Sequence, residues 1–401
     1  MAMATLRQAR WLSHTCIAVS RRTSIDSLHR VQPMQLLHSG VVASSSIVCP
    51  PATAAVYETL GSPDQVLRLV QMDGRELEDG EVCVKMLAAP INPSDINRIE
   101  GTYPMRPTVP AVGGTEGVGV VVAVTPGVRN LTIDDWVIPS HPHLGTWATH
   151  IAKEEGAWCK VGQDVPLEYA ATISVNPCTA LRMLTDFVDL EAGDVVVQNG
   201  ATSMVGQCVI QLAHLRKIQT VNLVRDRSGV DEVKARLSSL GAEHVFTEEE
   251  LGKLDMKNFL KEIGAGAKLG LNCVGGSTAT AVMKLLGEGG TLVTYGGMSK
   301  KPIKLATGPL IFKDIQLRGF WLGKWKTKHS NEDFAAMTKY LLELVRDDKL
   351  RYITEKVPFE DFNHALDKAM GKHGSAPKQV VPIYDRSTNS FATVLDLDLR
   401  F

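Results

Sequence analysis

The sequence predicts an α/β protein in which a doubly wound parallel-sheet domain is joined to a β-rich one. Three observations carry that expectation. A β-α-β unit occupies Asp194 to Arg227, DVVVQNGATSMVGQCVIQLAHLRKIQTVNLVRDR. Many short strands precede it. Two further buried strands follow it, Leu269 to Val274 and Thr291 to Tyr295, and each runs into paired glycines, Gly275-Gly276 and Gly296-Gly297. Glycine at the carboxyl end of a parallel strand lets a ligand approach the backbone, which is where open α/β sheets bind cofactors.

Within the unit, Val195-Val196-Val197 is an apolar run bounded by Gly193 and Asn199-Gly200, and reads as a buried strand ending in a turn. Val205, Val209, Leu212 and Ala213 recur at helical spacing, so a helix starts near Ser203. A β-branched run from Thr220 to Val224 closes a unit of about thirty residues. The turn sets backbone N–H groups at a helix N-terminus, where the dipole favours a phosphate. Arg225 and Arg227 flank Asp226 just past the second strand. An acidic residue there would accept a ribose 2′-hydroxyl, whereas two arginines suit a 2′-phosphate, so the expected dinucleotide is NADPH. The strict G-x-G-x-x-G spacing is absent, and Met204 stands where a second close-packed glycine is expected. The competing reading is an ordinary crossover with no ligand.

Before this unit, Val82, Val84 and Met86 alternate with polar neighbours as a half-buried strand does. In Ala89 to Gly101, Asn92 is a natural N-cap, Pro93 suits the first helical position and Gly101 stops the helix. The loop Thr102 to Pro110 carries Tyr103 among three prolines. Val118 to Val124 and Trp136 to Ile138 read as further strands. After the unit, Asp231 to Leu240 is helical, Gly241 to Phe246 turns into a strand, and Ile315 to Phe320 is a last strand of this half. A basic and aromatic patch follows, Trp321 to His329, then an amphipathic helix over about 332 to 347 and a short C-terminal αβ segment.

At 401 residues the chain is long enough for two domains with their own cores. Its 43 basic residues balance 44 acidic ones, which argues against a nucleic-acid surface. No apolar run approaches the length of a membrane span. The cysteines (Cys16, Cys49, Cys83, Cys159, Cys178, Cys208 and Cys273) are scattered, which suits reduced, mostly buried thiols rather than a disulfide framework or structural zinc site. Residues 1–45 are basic, Ser-rich and nearly free of acids, with Arg7, Arg10, Arg21, Arg22 and Arg30 against Asp26 alone. That composition is the signature of a mitochondrial transit peptide, and it places the mature protein in the matrix.

The residues are specific enough to carry a resemblance. Ala89–Asn97 (APINPSDIN), Pro110–Gly114 (PAVGG), Asp135–Pro139 (DWVIP), Val175–Ala180 (VNPCTA), Val224–Arg227 (VRDR), Leu240–His244 (LGAEH), Leu271–Gly276 (LNCVGG), Thr294–Met298 (TYGGM) and Ile311–Leu322 (IFKDIQLRGFWL) occur in order and at family spacing. With them the chain resembles the zinc-free medium-chain dehydrogenase/reductase superfamily and, within it, the mitochondrial enoyl-thioester reductases, over about 50 to 380. The resemblance implies a Rossmann domain, 179–320, inserted in a discontinuous GroES-like catalytic domain, 46–178 and 321–390, with a tail at 391–401. It also implies a homodimer, NADPH as reductant, and an enoyl-CoA or enoyl-ACP substrate with acyl carrier protein as partner.

Residue by residue, Tyr103 falls on the family's proton donor. Asn176, Thr202, Ser203, Met204, Val205, Arg225, Asp226, Arg227, Tyr295, Gly296, Gly297, Met298, Phe320, Trp321, Leu322, Gly323 and Lys378 fall on its cofactor contacts. Met204, Thr115 and Gly323 depart from the family's usual residues. Thr115 precedes Glu116 where zinc-dependent relatives carry histidine, and threonine is a poor zinc ligand. His141, His143 and His150 have no cysteine partners, so no metal is expected. The patch Arg318 to His329 is a candidate for holding CoA phosphates or an acidic carrier-protein face, with Lys324 and Lys326 as point charges and Trp321 beside the acyl chain. The expected reaction is hydride delivery to Cβ of a 2-enoyl thioester and proton delivery to Cα. Its rivals are a quinone or alkenal reductase using the same cofactor, and a cofactor-binding module without turnover.

Overall fold

The structure, a computed structural model, describes residues 46–141, 144–374 and 376–383. The leader expected over 1–45, the tail over 391–401, residues 384–390 and His143 lie outside the described residues.

The first lobe is built on β-strands with apolar inner faces. β1 (Ala52–Tyr57) pairs antiparallel with Leu67–Met72 and with Ala111–Val112. β2 (Glu81–Pro90) is followed by the helix α1 (Pro93–Ile99), and then by β3 (Val118–Val124), β4 (Trp136–Pro139), β5 (His150–Glu154) and β6 (Trp158–Val161). β2 is the hub of this sheet: it pairs antiparallel with β3 and with β5. Its alternation is cleaner in sequence than in space, because Val82, Cys83, Val84 and Met86 are all buried.

The second lobe opens on the helix α2 (Asn176–Asp186) and a parallel sheet. Its elements are β7 (Val195–Asn199), the helix α3 (Met204–Leu215), β8 (Gln219–Val224), β9 (His244–Thr247), β10 (Ala267–Asn272), β11 (Leu286–Thr294) and β12 (Gln316–Gly319). They lie in the order β9-β8-β7-β10-β11-β12, all parallel. This is the strand order 3-2-1-4-5-6 of a dinucleotide-binding sheet, and it reverses direction beside β7, where the crevice forms. β7 is buried on both faces, as its unbroken valine run requires.

The chain then returns. A short helix α4 (Leu322–Lys326) and the long amphipathic helix α5 (Asn331–Arg346) lead to β13 (Thr354–Lys356) and β14 (Lys378–Pro382). β14 pairs antiparallel with β2, so the C-terminal strand sits in the first lobe's sheet, in the order β6-β4-β3-β2-β14-β13.

One expectation is overturned here. Cys49 and Cys83 form a disulfide across 34 residues of sequence, with Cα atoms 5.5 Å apart. Scattered spacing hid the pair because the two cysteines lie on strands of different sheets that approach only in the folded lobe. Cys159, Cys178, Cys208 and Cys273 are buried free thiols, as expected.

Candidate active site

Tyr103 is positioned by the end of α1. Gly101, at φ +74°, lets the chain leave the helix. The N–H groups of Thr102 and Tyr103 then both donate to the Asn97 carbonyl, at 2.9 and 3.2 Å. The Tyr103 ring meets the Trp321 indole edge-on, 5.9 Å between centroids, and its hydroxyl oxygen accepts a 2.6 Å hydrogen bond from Trp321 Nε1. That bond occupies a lone pair of the oxygen and leaves the phenolic proton free to be given elsewhere. Burial raises the Tyr103 pKa; the Trp321 N–H lowers it, Asp95 raises it and Arg98 lowers it. The phenol stays protonated through neutral pH, as an acid must.

Trp321 comes from the other side of the seam between the lobes. It precedes α4, and the absence of a side chain at Gly323 lets the indole fold back, since a Cβ there would lie 2.8 Å from the ring. Lys300, in the loop after β11, pairs with Glu100 at the end of α1 at 3.0 Å, a second tie across the same seam.

Behind α1 lies a buried polar cluster that sequence reading missed. Glu116 is fully buried and accepts hydrogen bonds from Asn92 Nδ2 (2.8 Å), the Val175 N–H (2.7 Å) and the Ser174 hydroxyl (3.2 Å). Burial pushes its carboxyl up to about 7. Asn92 Oδ1 accepts from Lys378 Nζ (2.8 Å) and from Asn176 Nδ2 (3.1 Å). Asn92 is the N-cap residue, yet its side chain serves this cluster, and Asp95 accepts the Asn92 N–H instead at 2.9 Å. Thr115 donates to the other Asp95 oxygen at 2.7 Å. The spacing of Asn92, Asp95 and Arg98 by threes was the available signal, since it puts all three on one side of the helix. Asn92, Thr115 and Asn176 offer amide and hydroxyl groups rather than thiolate or imidazole. Among the described residues no group of three or more His, Cys, Asp or Glu is arranged to hold a metal ion.

The large cleft, about 1240 Å³, lies at the carboxyl ends of β7 and β8. Thr202, Ser203, Met204, Arg225, Arg227, Met298 and Lys378 line it. Ser203 caps α3, its hydroxyl accepting the Gly206 N–H at 3.1 Å. The close-packed glycine of the turn is Gly206, not position 204: a Cβ on it would stand 2.6 Å from the Ala201 carbonyl oxygen. Gly200 supplies the left-handed turn at φ +65°.

The remaining sequence-named residues are close by but do not line the cleft. Val205 is buried in the core beneath the turn, Asp226 is exposed between the arginines, and Asn176 faces Asn92. Tyr295 lies beside Cys273 and Ser203, its hydroxyl buried without a hydrogen-bond partner. Gly296 and Gly297 carry the chain out of β11, Phe320 stacks edge-on against Phe187, and Leu322 is buried. The patch after β12 differs from its expected form. It is the helix α4, whose amphipathic turn sends Lys326 inward over the Phe334 ring, 3.7 Å from the centroid. Burial lowers the Lys326 pKa to about 8, while Lys324 stays exposed. Lys326 is therefore not a surface point charge.

These features fit a dinucleotide. The cleft exceeds the roughly 300–1,000 Å³ of ordinary small-molecule pockets. Its floor is a glycine turn at a capped helix N-terminus, and two guanidinium groups stand off β8.

Comparison with known proteins agrees with the geometry. Residues 78–172 match the family model described as alcohol dehydrogenase GroES-like domain, and residues 205–343 match the one described as zinc-binding dehydrogenase. The chain is 59% identical over 337 residues to the mitochondrial enoyl-[acyl-carrier-protein] reductase of Arabidopsis thaliana, covering 84% of this chain and 90% of that protein. Among solved structures it is similar to the complex of Etr1p with NADP and crotonyl-CoA, at 34% identity and TM-score 0.77, covering 83% of this chain and 99% of the other. It is similar also to the mitochondrial 2-enoyl thioester reductase Etr1p/Etr2p heterodimer from Candida tropicalis, at 34% identity and TM-score 0.76, with the same coverage. An identity of 59% across nine-tenths of a relative settles kinship: the chain belongs to the family of mitochondrial enoyl-[acyl-carrier-protein] reductases, built on the medium-chain dehydrogenase/reductase fold.

Proposed function

We infer that this protein reduces trans-2-enoyl thioesters to saturated acyl thioesters in mitochondrial fatty-acid synthesis, with NADPH as reductant. The observation that carries the chemistry is the Tyr103 hydroxyl, held by an indole N–H and left with a proton to give. NADPH, when bound, supplies the hydride that goes to Cβ. We propose that Thr202 to Val205 and the α3 N-terminus hold its phosphates, and that Arg225 to Arg227 hold the ribose 2′-phosphate. Tyr295 to Met298, Phe320 to Gly323, Asn176 and Lys378 complete the proposed contacts.

Tyr103 is the proposed acid that protonates Cα. As its O–H bond breaks, charge collects on the phenolic oxygen. Trp321 Nε1, already donating to that oxygen, strengthens as a donor at that moment, which is stabilisation where charge develops. Positioned acids of this kind contribute typically 10²–10⁴-fold. The buried cluster of Glu116, Asn92 and Lys378 fixes the start of α1 and so fixes where the loop after it delivers Tyr103. The division into a catalytic part, 46–178 with 321–390, around a cofactor-binding part, 179–320, belongs to the same proposal.

Acyl carrier protein as the bearer of the physiological substrate, and a homodimer as the working form, are also proposed. Support for the dimer is the outer strand β12, exposed at all four residues, beside Ile311 and Phe312, which are 65% and 83% exposed. An open edge strand flanked by apolar side chains is a surface that pairing would cover. The deciding assay compares NADPH oxidation with trans-2-hexenoyl-CoA and with a quinone. Turnover of the thioester is expected, with kcat at least about tenfold lower in Tyr103→Phe and NADPH binding retained. Turnover of the quinone alone would assign the chain to the other reductase chemistry.

A further inference from the structure

A second cavity, about 490 Å³, lies inside the first lobe and shares no lining residue with the dinucleotide cleft. At its inner end stands Arg98, on the last turn of α1. Only 7% of Arg98 is exposed, and its Nη1 is buried with no hydrogen-bond partner. Among the described residues no carboxylate comes within ion-pair distance of it; the neighbouring groups are the hydroxyls of Tyr57 and Tyr103 and the carboxyl of Asp95. Asp95 already spends its oxygens on Thr115 and the Asn92 N–H. A guanidinium taken out of water without an anion is costly, so such groups are found paired. Ile99, Val112, Leu144, Ala148 and Ile151 give the wall an apolar side, and Tyr57, Asp95, Thr108, Thr115 and His150 give it a polar one. Asp73, Arg75 and Lys153 are exposed and form the rim.

We propose that this cavity binds an aliphatic carboxylate of medium chain length. Its carboxylate sits on Arg98 and its chain runs along Ile99, Val112, Leu144 and Ile151 toward the rim. Two features select for that chemistry. The guanidinium fork matches a carboxylate, with Asp95 already committed to Thr115 and the Asn92 N–H, and the Ile99, Val112, Leu144 and Ile151 side of the wall gives an aliphatic chain a surface to lie along. The volume falls within the range of small-molecule pockets. The cavity is distinct from the dinucleotide cleft, and Arg98 is near enough to the Tyr103 hydroxyl to lower its pKa.

The test is calorimetric titration of the NADPH-saturated full chain with octanoate and, in parallel, octan-1-ol. Octanoate is expected to bind with one-to-one stoichiometry, octan-1-ol at least about tenfold more weakly, and Arg98→Gln to weaken octanoate at least about tenfold while Arg98→Lys keeps part of the affinity. Equal binding of acid and alcohol, unchanged affinity in Arg98→Gln, or no binding of octanoate would overturn the proposal. Because Arg98→Gln removes a buried group and can impair folding, the wild-type chain is also labelled with a diazirine analogue of octanoate. Adducts are expected within 98–115 or 144–153. Adducts confined to 199–228, or an absence of adducts, would overturn it equally.

Discussion

At the scale of single residues, the Tyr103 phenol is defined by who donates to it. Trp321 Nε1 gives its hydrogen to Tyr103, not the reverse, so the indole lowers the phenol's pKa while burial raises it. In Trp321→Phe the ring survives and the donor is lost. The phenolate formed on proton transfer then loses a hydrogen bond to a charged group, roughly 1.5–3 kcal/mol. kcat/KM for trans-2-hexenoyl-CoA is expected to fall about 10- to 100-fold, with the alkaline limb of its pH profile displaced upward; an unmoved limb would leave Trp321 as packing only. Glu116 is a different kind of residue, acting on stability. Its folded pKa of about 7 lies above the ordinary 4.5, so between those values the folded chain keeps a proton that the unfolded chain releases. Stability contributed by this group is thus present below about pH 4.5 and declines as pH rises to 7, by up to roughly 3 kcal/mol. Denaturant titrations at pH 5 and pH 7 are expected to show that decline in the wild type and a flatter dependence in Glu116→Gln. The substitution should itself cost about 1–3 kcal/mol at pH 8, where Glu116 is ionised and an amide N–H₂ would meet donors that the carboxylate accepted.

At the scale of elements, the turn between β7 and α3 shows how much of the fold was legible. The valine run, the helix start near Ser203 and the closing strand were readable because each obeys a local period or cap. A doubly wound parallel sheet followed from the β-α-β pattern and the glycine pairs; the order of its strands was seen only in the structure. What could not be read was which glycine carries the close packing. Spacing rules pointed to position 204, whereas the helix seats Gly206 against Ala201, two residues later. Gly206→Ala is expected to cost about 1–3 kcal/mol, because the added Cβ meets backbone rather than a flexible side chain. It should also raise the KM for NADPH by shifting the Thr202–Met204 turn. Thermal melts and NADPH titration check both. The elements that misled were those whose chemistry is tertiary. The segment after β12 reads as a charged surface patch, yet its one helical turn sends Trp325 and Lys326 inward. Cys49 and Cys83 come together from two different sheets, and Arg98 is buried although no local pattern announces it. Tyr103 itself was found through resemblance; nothing in its own loop marks it as an acid.

At the scale of the whole molecule, the residues of the candidate site are gathered from distant parts of the chain, since β14 returns to pair with β2 and brings Lys378 onto Asn92. The same topology leaves β12 as the last strand of the parallel sheet, with no further neighbour among the described residues. Its outward groups, Leu317 among them, are exposed, and the preceding helix presents Ile311 and Phe312 to water. A soluble chain rarely keeps an open strand edge beside two large apolar side chains unless another surface covers them. A second copy meeting the first across this edge would extend each six-stranded sheet into a continuous twelve-stranded one and bury both apolar pairs by two-fold symmetry. Phe312→Glu puts a charge at the centre of that contact and leaves the cleft, Tyr103 and Trp321 untouched. Sedimentation is expected to give a dimer for the wild type and a shift toward monomer for Phe312→Glu, with NADPH still bound. A wild-type monomer, or a variant that sediments as the wild type does, would place the dimer contact elsewhere or remove it.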